Sequence, residues 1–153
     1  MGLQADATKF WVFCGFMILC QLSATSLATM VSTLARTTDL SMVVLPMFFE
    51  LGRLFGGFFL PPAQLPPYFV WLDALSYVKY TYTGIGLNEL EGLIYTCQPA
   101  QMQNGACPTA TGEQQIQRLG LNYITRDQAA AILILFIFAS RFVAYLGLRF
   151  IKW

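Results

Sequence analysis

Histidine is absent from this chain of 153 residues. Its absence removes Ser-His-Asp hydrolases, histidine-ligated metal sites and the histidine boxes of membrane oxidases in one step. Charge is scarce as well. Only 11% of residues are charged, against about 25% in soluble domains. The net charge is +1 with no run of like sign, so the chain lacks the electrostatic footprint of a nucleic-acid binder. No lysine follows a glycine: Lys9, Lys79 and Lys152 are preceded by Thr8, Val78 and Ile151. A phosphate-cradling G-x-x-x-x-G-K-[ST] loop is therefore missing, and with it a nucleotide-binding domain. No N-x-[ST] sequon occurs, since Asn88, Asn104 and Asn122 all fail the pattern. The N-terminus lacks the basic region of a signal peptide and has Asp6 where a myristoylation motif requires Ser or Thr. The chain starts almost directly in an apolar run, which for a complete protein is unusual. A fragment or a truncated gene model is the expectation.

What is present is apolar and clustered. Hydrophobic residues make up 56% of the chain and the mean hydropathy is +0.56. They fall in runs long enough for a bilayer, whose core needs about 20 residues of helix. The expected fold class is an all-α membrane protein: three transmembrane helices, a re-entrant or interfacial helical segment, and an external loop. The first span runs over about residues 10–35, free of charge and bounded by Lys9 and Arg36. Its Ala24, Ala28 and Ser32 form a small-residue stripe suited to helix packing. The second span covers about residues 40–60 and contains Glu50 and Arg53, three residues apart on one face. Charges at that depth cost several kcal/mol unless paired or facing protein or water, and the spacing lets these two neutralise each other. Pathway residues and a structural ion pair are equal alternatives for them. Gly52 and Gly56 form a GxxxG contact, with Gly57 as a further small position. This helix is expected to be buried in a bundle, and Pro61-Pro62 is expected to stop it.

Beyond a second pair, Pro66-Pro67, residues from 68 to about 90 read as helical again. Leu72, Leu75, Val78, Tyr82 and Ile85 recur at helical spacing, and Asp73, Ser76, Lys79 and Thr83 occupy the other face. Five aromatic residues that favour the headgroup zone (Tyr68, Trp71, Tyr77, Tyr80 and Tyr82) point to a re-entrant or interfacial element. Residues 91–127 form a polar loop with Cys97 and Cys107. The last span covers about residues 128–150, with Arg141 near its middle, where bonding to a neighbouring helix is expected. Counting Arg and Lys near the span ends gives a tie, Arg36, Arg149 and Lys152 against Lys79, Arg118 and Arg126, and so no orientation. Cys14 and Cys20 read as small apolar fillers. Cys97 and Cys107 read as a disulfide if their loop is extracytosolic, and otherwise as two free thiols.

The stretch FGGFFLPPAQLPPYFVWLDALSYVKYTYTGIGLNELEGLIYTC resembles the end of the transmembrane domain in the G subfamily of ABC transporters, the White-type half-transporters. In that family an FGGFF helix end precedes an IP…W…SY.KY…NEF.G…C pattern. Thr111-Gly112-Glu113 is similar to the family's TGE, and residues 141–150, RFVAYLGLRF, resemble its R..AYL.LR. ending. The resemblance spans three separated blocks and nearly the whole chain from Phe10, so residues 1–153 look like part of an ABC-2-type transmembrane domain.

The resemblance implies that the spans are the fourth to sixth of six, with residues 68–88 as a re-entrant helix pair on the outer side. It places the Cys97–Cys107 loop outside, with an intramolecular disulfide, and the C-terminus in the cytosol, most naturally at the plasma membrane. It implies homo- or heterodimers in which the second span lines a central cavity. Phe58 and Phe59 would plug its outer end, where the family usually holds smaller aliphatic residues; ordinary helix-end packing is the alternative. It also implies the partners: the bilayer, a nucleotide-binding domain with ATP and Mg, the remaining helices and a lipid-like or amphipathic substrate. Export by alternating access is the leading expectation. A small non-transporting membrane protein that scaffolds or regulates a partner is the alternative. No catalytic or metal-ligating residue is expected on this chain.

Overall fold

A computed structural model describes residues 6–35, 37–57, 69–94 and 111–150. Among them the architecture is all-helical, with a single isolated bridge between Ile94 and Thr111. The helices are α1 (Ala7–Leu34), α2 (Thr38–Leu54), α3 (Val70–Leu75), α4 (Tyr77–Leu90), α5 (Gly112–Arg118) and α6 (Arg126–Phe150).

Helix α1 starts where Asp6 accepts the Thr8 amide at 2.9 Å, an N-cap that satisfies one of the four free donors of a helix start. Its second half is rich in hydroxyls, and these bond back along their own helix. Ser23 donates to the Leu19 carbonyl, Thr25 to Leu22, Thr29 to Ser26 and Thr33 to Met30, at 2.8–3.0 Å. A hydroxyl that closes on its own backbone can sit in an apolar medium without a lost hydrogen bond. Helices α1 and α6 are long and apolar enough to cross a membrane. They run side by side in the same direction: Ser26 meets Arg141, and Thr33 and Leu34 lie against Gly147. Helix α4 runs antiparallel to both. The shared core is Phe16, Leu27, Val31, Tyr77, Ala129 and Leu133. Large apolar side chains on the outer faces, such as Trp11, Ile18, Leu135, Phe138 and Leu148, are bare.

Among the described residues two helices have the length and composition of a span; the third expected span, about residues 40–60, continues into residues outside the described ones. Several finer expectations are corrected. Helix α2 has 17 residues, about 25 Å at 1.5 Å per residue. It ends at Leu54, well before Pro61-Pro62. The stop is made by backbone geometry: the Gly56 amide turns back to the Arg53 carbonyl at 3.2 Å, and Gly57 takes φ +83, a conformation open to glycine and strained for other residues. Residues 58–68, with both proline pairs, lie outside the described residues. Nor is α2 enclosed, for none of its residues is buried. The buried stripe of α1 is Ser23, Ser26, Leu27 and Val31, one position away from the Ala24–Ala28–Ser32 row, because the facing surface is α6. The helical segment expected over about 68–90, a helix pair by the resemblance, is two helices separated at Ser76, whose ψ of 104 is extended. The apolar spacing runs through the break and so conceals it. The loop expected over 91–127 contains α5.

Candidate functional site

The densest polar cluster among the described residues lies at the α3–α4 elbow. Ser76 opens it by accepting the Lys79 amide as the N-cap of α4 while its hydroxyl donates to the Gly52 carbonyl at 2.8 Å. The extended residue at 76 breaks the helix, and residues six apart come together across the break. The Lys79 ammonium pairs with the Asp73 carboxylate, and the Tyr80 hydroxyl donates to the Ala74 carbonyl at 2.9 Å. Asp73 and Lys79 are only 5% and 8% exposed, a depth at which neither charge is tolerable alone. The Lys79 ammonium also stands 4.6 Å from the centre of the Tyr123 ring, a cation–π contact. The Tyr123 hydroxyl bonds Thr83 Oγ1 at 2.8 Å. Asp73 Oδ1 is buried without a hydrogen-bond partner.

The polar face of α4 is thus its inner face. Tyr77, Lys79, Thr81, Thr83, Gly84 and Asn88 are buried, while Trp71 and Leu75 on α3 point outward. That inversion of the soluble pattern is what an apolar solvent selects. Depth follows from the neighbours. Tyr77 stacks on Phe136 at 5.9 Å, ten residues into α6 and so about 15 Å along its axis. Gly84 lies against Phe16, and Asn88 donates to the Lys9 carbonyl at 3.0 Å, at the first turn of α1. Lys9 in turn donates to the Glu91 carbonyl at 2.7 Å. Helix α4 therefore begins halfway along its neighbours and rises to their N-terminal ends.

The phenol of Tyr123, in the turn before α6, is pushed up to about 12. Desolvation is the main cause. The Thr83 hydrogen bond opposes it, and the neighbouring Tyr80 and Asp73 add to it.

The residues singled out from sequence fall in different places. Glu50 and Arg53 do pair, at 3.0 Å, but with side chains 70% and 63% exposed, on a face of α2 turned away from α1 and α4. They line a shallow cleft of about 400 Å³ with Met47, Leu51 and Leu54. Gly52 and Gly56 face α4: a Cβ on Gly52 would lie 3.6 Å from Tyr77 Cε1, and one on Gly56 2.9 Å from Val78 Cγ1. Gly57 lies beside Tyr82. Phe58, Phe59, Cys97 and Cys107 lie outside the described residues. Arg141 donates from Nε to Ser26 Oγ at 3.2 Å, and Cys14 and Cys20 are half-buried free thiols. The Asp73–Lys79–Tyr123 arrangement is not visible in sequence. The i,i+6 spacing matches no helical pairing rule, and only the break at Ser76 closes it.

A second cleft, about 610 Å³, separates α1 from α2 and is lined by Ser32, Thr37, Ser41, Met42 and Pro46 among others. Among the described residues no group of three or more Cys, Asp and Glu converges as a metal site would require.

Comparison with known proteins gives a consistent result. The family described as ABC-2 type transporter matches residues 1–90. The ABC transporter ATP-binding protein/permease wht-1 of Caenorhabditis elegans is 32% identical over 148 residues, covering 92% of this chain and 22% of that protein. ABC transporter G family member 1 of Dictyostelium discoideum is 26% identical, over 94% of this chain and 18% of its own. Protein white of Drosophila melanogaster is 27% identical, over 97% and 22%. The chain spans about a fifth of the length of these relatives.

Proposed function

The chain belongs to the ABC-2 type transporter family, and on that premise we propose that it forms membrane-spanning helices of an ATP-driven G-type exporter. Its cargo is lipid-like or amphipathic, and it works by alternating access with a second subunit, as a homo- or heterodimer. Three spans make up its membrane part. Since α1 and α6 run the same way, a chain that crosses the membrane in both must return between them. Helix α2 with the residues that follow it supplies that return. The α3–α4 segment is the re-entrant element, entering from the outer side and stopping halfway. In this orientation α5 and the residues around Cys97 and Cys107 lie outside, with those two cysteines bonded to each other. Phe150 and the C-terminus lie in the cytosol, and the plasma membrane is the host.

The observation that carries this reading is α2. It packs on α1 and α4 along one side, yet none of its residues is buried. Met42, Val43, Met47 and Phe48 stand bare, and its one ion pair faces away from the bundle. A helix so placed fits a wall of a central cavity, completed by further helices and a second subunit. The outer end of that wall is where Phe58 and Phe59 would act as a plug.

ATP and Mg²⁺ enter through a nucleotide-binding domain, for no lysine of this chain stands in a phosphate loop. What the chain itself does is shape a low-dielectric wall and transmit movement. The inner hydroxyls and the elbow hold α4 against α1 and α6, and α2 is joined to them through Gly52, Gly56 and Ser76.

The test begins with the complete in-frame transcript. A phosphate-loop motif and three further spans upstream of Met1 are expected, and a stop codon directly upstream would overturn the proposal in favour of a small scaffolding protein. Non-reducing mass spectrometry of the loop peptide checks the disulfide. A Cys97 that alkylates freely without reduction would refute it.

A further inference from the structure

We propose that the Asp73–Lys79 pair is a positioning device that sets the outer end of α2, so that Lys79 acts on the transport path without touching it. Three observations converge. The pair is buried at the α3–α4 elbow. The same elbow makes the hydrogen bond from Ser76 to the Gly52 carbonyl. Val78, two residues along, is the surface against which Gly56 rests, where an added Cβ would lie 2.9 Å from Val78 Cγ1. The last turn of α2 is therefore joined to the bundle by residues 76–78, and residues 76–78 are held at their angle by an ion pair spanning the break. Tyr123 covers the ammonium from the far side and ties the clasp to the turn before α6 through Thr83.

Burial gives the arrangement its sensitivity. Removing one charge strands the other in an apolar surrounding. Replacing both with apolar side chains of similar volume leaves folding nearly intact. The pair is thus dispensable for the fold and specific for the angle of the elbow. Asp73 Oδ1 has no hydrogen-bond partner, so a guanidinium at position 79, which offers two parallel donors, has a second acceptor waiting.

The transport arm of the test rests on the proposed function; the exchange arm does not. The full-length protein is compared with D73L/K79M and K79R in reconstituted vesicles, reading amphiphile exported per ATP hydrolysed, and by hydrogen exchange with peptide mass analysis. In D73L/K79M the amides of residues 51–57 are expected to exchange at least tenfold faster, those of α1 and α6 to stay within twofold of the parent, and export per ATP to fall at least tenfold. K79R keeps all three within twofold of the parent. Unchanged exchange at 51–57, or equal acceleration in all helices, would overturn the proposal. So would normal export per ATP in D73L/K79M. A parent protein with no ATP-driven export would sink the functional reading alone, and residues 51–57 would still decide the positioning role.

Discussion

Gly84→Ala is the sharpest perturbation of the helix packing. Gly84 lies in α4 where Phe16 of α1 crosses it, and an added Cβ would fall within the ring's contact distance, 2.8 Å from Cδ1 and nearer still to Cε1 and Cζ. The ring is buried in the shared core, so it cannot swing away without displacing Tyr77 or Leu133. Two effects oppose each other. Alanine is favoured over glycine in a helix by about 1 kcal/mol. Overpacking a filled core costs about 1–3 kcal/mol, and this contact lies at the severe end of that range. The net expectation is a loss of about 1–2 kcal/mol. Gly15→Ala is the internal control, since nothing lies within 4 Å of its added Cβ, and it should gain up to about 1 kcal/mol. Phe16→Leu vacates the ring edge. Combined with Gly84→Ala it should show a favourable coupling of about 1 kcal/mol or more. The assay is unfolding by denaturing detergent in mixed micelles, with the five proteins compared at one concentration. A Gly84→Ala protein as stable as its parent, or additive behaviour with Phe16→Leu, would refute the contact between α1 and α4.

Other outcomes follow from the same geometry. Because folding pushes the Tyr123 phenol up to about 12 from about 10 in an unfolded chain, the folded state keeps a proton that the unfolded chain releases. Its contribution is intact below about pH 10 and is lost as pH rises toward 12; Tyr123→Phe should flatten the unfolding profile across that window. The bond from Arg141 to Ser26 joins two parallel helices. A double-mutant cycle with Ser26→Ala and Arg141→Leu should give a coupling of about 0.6–1.7 kcal/mol, and zero coupling would assign the contact no role. In the full-length transporter, Glu50→Gln and Phe58→Ala should each change substrate-stimulated ATP hydrolysis several-fold. Unchanged kinetics in both would make these residues structural.

The membrane character of the chain and the limits of α1 and α6 were legible in the sequence, because a charge-free run between Lys9 and Arg36 and a long apolar run from residue 128, broken by charge only at Arg141 and Arg149, suit a bilayer. The family could be read from three blocks of residues. The break at Ser76 could not. Apolar positions continue in helical register across it, and a serine at that point reads equally as surface polarity. Nor could the end of α2 be located, because the proline pairs outweigh in sequence a glycine turn that acts earlier. The Asp73–Lys79 clasp was hidden for a related reason. Its partners are neighbours only across the break at Ser76, and no periodicity encodes that. The Glu50–Arg53 pair followed from spacing, but its outward direction depended on which face of α2 the neighbours cover.

The proposed topology threads the chain through a bilayer with α1 and α6 in one direction and α2 in the other. Single cysteines at Asp39, Glu113 and Arg149, each exposed, test it most directly in the full-length protein with its native cysteines replaced. A membrane-impermeant maleimide applied to intact cells should label position 113 alone, with 39 and 149 reacting only after permeabilisation. Labelling of 39 together with 113, or of all three from outside, would contradict the account.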